Sequence, residues 1–139
     1  MKVTAVILII LCIGCTPKSK APAIHISLTD SNRSVKFKGL DYAIISEINR
    51  DSVSGIWENL LPVFKMPIDT DLKNYQPMQP GRYQLKDSAV VFTPDTPFVK
   101  GQSYFIRYFE FGENSDKWAY IKGIKQLGKI PYKDLIFKQ

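Results

Sequence analysis

Cysteine and histidine are the scarcest chemistry-bearing residues in this 139-residue chain, which holds two cysteines, Cys12 and Cys15, and one histidine, His25. One imidazole and two thiols cannot supply a four-ligand zinc site. A serine triad needs a base beside its nucleophile. His25 is the sole imidazole, no Gly-x-Ser-x-Gly elbow occurs, and Ser52-Val53-Ser54-Gly55 reads as a turn. Glycine-rich phosphate loops are missing too, so nothing cradles a nucleotide. No apolar run approaches the ~20 residues that cross a bilayer as a helix. A long 3.6-residue periodicity is also missing, which turns the reading away from helical folds. No internal repeat or second domain is visible.

What is present begins at the N-terminus. Met1-Lys2 gives a short positive start, Ala5 to Ile13 (AVILIILCI) is nine apolar residues, and Gly14-Cys15 follows. A charge, an apolar stretch of roughly 7–15 residues and a small residue at the cut make a secretory signal. Thr16-Pro17-Lys18-Ser19-Lys20 then stops the run.

The block Cys12-Ile13-Gly14-Cys15 resembles the lipobox of bacterial lipoproteins. Gly14 and Cys15 match the usual small residue and lipidated thiol, whereas Cys12 and Ile13 depart from the commonest choices. The resemblance implies cleavage of residues 1–14, a diacylglyceryl thioether on Cys15 and a bilayer as partner. Each buried methylene contributes about 0.8 kcal/mol, and two or more chains anchor stably where one does not. Thr16 stands where an aspartate favours inner-membrane retention, so the resemblance points to the outer membrane. Cleavage discards Cys12 and lipidation consumes Cys15, leaving the mature domain without a free thiol.

Residues 15–22 carry two prolines and two lysines and read as a tether. The remaining 23–139 fit one domain of ordinary size. Without Lys2 the chain keeps 18 basic against 13 acidic residues. Such a surplus fits an ordinary solvated surface first, and beside that a weak attraction to anionic headgroups or acidic glycans. The basic residues are scattered singly and the export signal is present, so nucleic acid is not expected as a partner.

After the tether the pattern turns to period two. Ile24, Ile26 and Leu28 share one face, Val35-Lys36-Phe37-Lys38 alternates, and Asp41 to Ile48 (DYAIISEI) is rich in β-formers. Ile56 to Pro67 reads as one bent strand or two, because Pro62 and Pro67 disfavour a helix and a central paired strand. Ile68 to Pro80 reads as a loop with room for one helical turn at Thr70 to Tyr75. Gly81–Leu85 and Ala89–Thr93 flank a tight turn, and further strands are expected at Ser103–Phe111, Trp118–Ile124 and Tyr132–Phe137. Strand signals at roughly ten-residue spacing predict an all-β, antiparallel sandwich of about seven to nine strands.

The segment Gly81 to Tyr108 (GRYQLKDSAVVFTPDTPFVKGQSYFIRY) resembles the C-terminal half of bacterial Ig-like domains, including SbsA-type and CopC-like sandwiches. Phe92-Thr93-Pro94, Pro97-Phe98, Gly101 and Tyr104-Phe105-Ile106 take the places of that pattern. Pro94 and Pro97 stop one strand and stiffen the crossing, Gly101 permits positive φ, and Phe98 can plug the end of the core. CopC-like proteins bind copper through several histidines. His25, alone and mid-strand, cannot carry that role over and is expected to face outward.

Asp69-Thr70-Asp71 offers alternating oxygen ligands of the kind calcium takes. Without a third acid nearby, Asp69 is better placed to cap a turn. Aromatic residues are plentiful, and alternation along Ser103–Phe111 puts Tyr104, Ile106 and Tyr108 on one face, with Phe105, Arg107 and Phe109 on the other. One of these faces is therefore either covered by another sheet edge or offered to a partner. Trp57, Tyr75 and Arg107 are the candidate contact residues. The expectation is an envelope lipoprotein with a non-catalytic Ig-like binding or scaffolding module, no cofactor and no metal, meeting an envelope protein or a glycan. Two alternatives stand beside it: an enzyme or calcium-dependent glycan-binding module using the 69–71 acids, and a structural subunit of a larger envelope complex.

Overall fold

The computed structural model describes residues 23–51, 55–110 and 130–139. Two antiparallel sheets form around one core. The first has strands β1 (His25–Thr29), β2 (Ser34–Lys38), β4 (Gly81–Lys86) and β5 (Ala89–Pro94) in the order β1-β2-β5-β4. The second has β3 (Val63–Lys65), β6 (Ser103–Phe109) and β7 (Tyr132–Lys138) in the order β3-β6-β7. The described residues thus form a β-sandwich with seven strands. Trp118–Ile124, expected as a further strand, lies outside the described residues, as does Phe111.

Period-two alternation explains the packing. Val35, Phe37, Val90 and Phe92 point inward from the first sheet and meet Val63, Tyr104 and Ile106 of the second. The turn between β4 and β5 is Asp87-Ser88, both at positive φ (50° and 58°), which suits a two-residue hairpin. The proline-rich crossing from β5 to β6 is tied down at both ends: Asp95 N–H donates to the Pro80 carbonyl, and Val99 N–H donates to the Tyr104 hydroxyl at 3.0 Å. Phe98 fills the space so enclosed, buried against Phe92, Tyr104 and Phe137.

Two segments differ from the sequence reading. Asp41–Ile48, expected as a strand, lies in helix α1 (Tyr42–Asp51). Its isoleucines are β-branched, but Ile44, Ile45 and Ile48 fall on one helical face and all three are buried in the core. Asp41 starts the helix by accepting the Ala43 N–H on its carboxylate at 2.9 Å. Ile56–Pro67 is neither one strand nor two. Its first half is a short helix, α2 (Ile56–Leu60), and only Val63–Lys65 is strand. Pro62, buried between them, separates the two.

The outward positions of the two sheets have different character. The first sheet presents His25, Ser27 and Thr29 from β1, Ser34, Lys36 and Lys38 from β2, Ala89, Val91 and Thr93 from β5, and Arg82, Gln84 and Lys86 from β4, as its strand register fixes. The outer face of the second presents Phe64, Phe105, Arg107, Phe109, Tyr132, Asp134 and Ile136. A 3-10 helix, Thr70–Tyr75, brings its own side chains onto that second face.

Candidate functional site

Asp69 opens the 3-10 helix. Its carboxylate accepts the Asp71 N–H at 3.0 Å, so this Asp-Thr-Asp motif is spent in part on backbone capping. The helix then carries Lys73 and Asn74 over the second sheet. Lys73 Nζ lies 4.8 Å from the centre of the Phe105 ring and 2.7 Å from Asp134 Oδ2. Phe105 is fully buried beneath it and stacks on Phe64 at 4.9 Å. On the outer face of β6, Phe105 thus has Lys73 of the 3-10 helix over its ring, and Phe109 has Tyr132 of β7 against its own.

Arg107 stands at the centre of this layer. Its Nε and Nη2 donate to Oδ1 and Oδ2 of Asp134, directly opposite on β7, at 3.0 and 3.1 Å. Nη2 also donates to Asn74 Oδ1 at 2.9 Å, and the guanidinium carbon sits 4.0 Å from the Tyr132 ring centre. This is fork-to-carboxylate pairing with cation–π stacking on one side. The Arg107 and Asp134 side chains keep 14% and 11% of their exposure, so solvent screens the pair poorly.

The electrostatics follow from this packing. Burial alone pushes the Asp134 carboxyl upward, but hydrogen bonds from Arg107 and Lys73 and their two charges outweigh it, holding Asp134 below the usual carboxylate range. Arg107 is raised by its hydrogen bond to Asp134, which exceeds the opposing effect of burial.

Of the three contact residues expected from sequence, Tyr75 and Arg107 come to the same face and Trp57 does not. Tyr75 is 81% exposed at the end of the 3-10 helix, next to Asn74. Arg107 is engaged by Asp134 and Asn74 rather than left open. Trp57, half-buried on α2, lines a separate groove of about 310 Å³ beside β4, together with Glu58, Arg82 and Tyr83. A neighbouring groove of about 340 Å³ shares Glu58 and Tyr83 and adds Met78 and Asp95. Tyr83 crosses beneath both and donates its hydroxyl to the Leu61 carbonyl at 2.7 Å. Burial, and after it the Glu58 charge, drives its phenol well above the ordinary tyrosine range.

Asp134, Lys73 and Asn74 escaped sequence reasoning, because Asp134 and Asn74 bond to Arg107 across 27 and 33 positions and Lys73 reaches Asp134 from the far 3-10 helix, leaving no local signal. A signal did exist for the charged face of the first sheet: Lys36 and Lys38 in β2, and Arg82 and Lys86 in β4, sit at even spacing between apolar or aromatic neighbours. His25 is exposed at the start of β1 on that face. Among the described residues, no group of three or more His, Cys, Asp or Glu side chains converges as a metal site, and no helix is long and apolar enough to cross a membrane. Comparison with protein-family models, curated proteins and solved structures finds no match for this chain.

Proposed function

We propose that this chain is a lipid-anchored protein of the bacterial envelope whose β-sandwich is a non-catalytic binding or scaffolding module. The observation that carries the reading is Gly14-Cys15 at the end of AVILIILCI, ten residues before the first strand begins at His25. Such spacing leaves a tether, not a domain, between a lipidated thiol and the sandwich. The Ig-like pattern of Gly81 to Tyr108 supports the same assignment, since sandwiches of this type serve as recognition and spacer units. Tyr75 and Trp57 are the side chains this module offers to a protein or glycan partner, on two separate surfaces. Arg107 fixes the 3-10 helix that carries Tyr75. Thr16 after Cys15 favours the outer membrane as the address.

The test is intact mass and membrane fractionation of the protein made in a bacterium, beside Cys15→Ala. Loss of residues 1–14, a gain of lipid mass and membrane retention, all abolished by Cys15→Ala, is the expected result. Equal cleavage and equal solubility of the two forms would overturn the anchor.

A further inference from the structure

The outward face of the β1-β2-β5-β4 sheet has no acid at any of its twelve strand positions. It carries four cations, Lys36, Lys38, Arg82 and Lys86, none of them ion-paired with a described residue. Elsewhere among the described residues, Arg33, Arg50, Lys73, Arg107 and Lys133 are each paired with an acid, while Lys65, Lys100 and Lys138 are not. Four of the unpaired cations thus share this one face. Between them, Ala89 and Val91 are buried although they point outward, the environment expected where long lysine stems lie across a sheet. The remaining positions are largely hydroxyls, and Ser34 and Thr93 hydrogen-bond to each other at 2.8 Å. Acids stand at its rim: Asp30, held by Arg33, and Asp87 lie in the turns beside Lys36 and Lys86, and Glu58 shares a groove with Arg82.

We propose that this face is a second membrane contact, lying against anionic lipid headgroups. Charge complementarity is one argument and position is the other. The face begins at His25, and Cys15 lies ten residues earlier, at most about 35 Å of extended chain. Two further lysines, Lys18 and Lys20, lie along that stretch. The sheet is about 15 Å wide between its outer strands, broad enough to set several cations against a charged surface at once. The orientation rests on the lipid-anchored reading; the attraction itself does not.

The full chain carrying Cys15→Ala separates the two. It is sedimented with vesicles of neutral phosphatidylcholine, and with the same vesicles containing about 30% phosphatidylglycerol. Each basic residue near an anionic surface contributes roughly fivefold to partitioning at low salt. K36Q/K38Q/R82Q/K86Q is expected to lower binding to anionic vesicles by at least about tenfold, while K65Q/K100Q/K138Q, which removes unpaired cations elsewhere, lowers it by about threefold or less. R82Q/K86Q, confined to exposed side chains of β4, is expected to fall between and guards against misfolding of the quadruple variant. Binding should vanish in about 0.5 M salt. Equal binding to neutral and anionic vesicles, or equal losses in the two charge variants, would overturn the proposal. Preference for a soluble acidic polysaccharide over anionic vesicles, with the same residue dependence, would also overturn it and make the occupant a glycan. If acylation of Cys15 fails while vesicle binding holds, only the anchor is lost; if acylation holds and binding fails, only this surface is lost.

Discussion

Arg107 and Asp134 face each other across β6 and β7 and are joined by two hydrogen bonds of 3.0 and 3.1 Å. The pair clamps the two longest strands of the second sheet. It also recruits the 3-10 helix, because Asn74 accepts from Arg107 and Lys73 pairs with Asp134. Asp134→Ala removes the single acid that both cations share. The expected loss is about 2–3 kcal/mol of unfolding free energy, since two poorly solvated cations lose their only acid among the described residues. Urea denaturation at neutral pH measures it. A loss below about 0.5 kcal/mol would mean that the pair contributes nothing net.

The same carboxylate gives a pH signature. Asp134 is held below its unfolded value, so its contribution is present above about pH 4 and is lost as pH falls through the lower folded value. The stability gap between wild type and Asp134→Asn is therefore expected to be constant from neutral pH to about pH 5 and to shrink below pH 4. A gap that stays constant down to pH 2 would contradict the depressed value.

Tyr83 behaves oppositely at the alkaline end. Its phenol is raised by burial, and its hydroxyl donates to the Leu61 carbonyl. The stability it contributes is full below about pH 10, the unfolded value, and falls as pH rises beyond that. Tyr83→Phe should cost about 1 kcal/mol at neutral pH through the lost hydrogen bond. The difference from wild type should then narrow above pH 10, where only the tyrosine form is penalised.

Gly39 and Gly101 separate backbone strain from steric conflict. Both have positive φ, 83° and 81°. A Cβ on Gly39 would meet the Ala23 carbonyl oxygen at 2.4 Å, whereas one on Gly101 meets nothing within 4 Å. Gly101→Ala is expected to cost about 1–2 kcal/mol, the ordinary left-handed penalty. Gly39→Ala adds a displacement of the backbone leading into β1, and its thermal midpoint should fall several degrees further. Equal midpoints would show that Ala23 yields at no cost.

Strand alternation and turn residues were enough to predict the sandwich, and the Phe-Thr-Pro crossing indicated where Phe98 plugs the core. Alternation works because a strand half-buried between core and solvent repeats every two residues. It misleads at Asp41–Ile48. There the local preference of three isoleucines for extended chain conflicts with a burial pattern of positions 44, 45 and 48, and burial decides. Pro62 gave a related signal in Ile56–Pro67. It marks the boundary between α2 and β3 and not a bend within a strand.

The candidate surfaces were less legible. The four cations of the first sheet passed as singly scattered residues in the sequence: alternation puts Lys36 with Lys38 and Arg82 with Lys86, but only the β2-β5-β4 register joins the two pairs on one face. The clustering of Arg107, Asp134, Lys73 and Asn74 was hidden too, because it depends on which strand lies beside β6 and on where the 3-10 helix comes to rest. Sequence by itself determined the strands, their inward faces and the tight turns, all set by residues near one another in the chain. Tertiary structure alone decided that Asp41–Ile48 coils, that Lys73 of the 3-10 helix comes over Phe105 of β6, and that Trp57 and Tyr75 lie apart. Those outcomes turn on burial and charge pairing between residues distant in sequence. The local spacing of Ile44, Ile45 and Ile48 fits a helix, but only packing against the core lets it prevail over the β-preference of isoleucine.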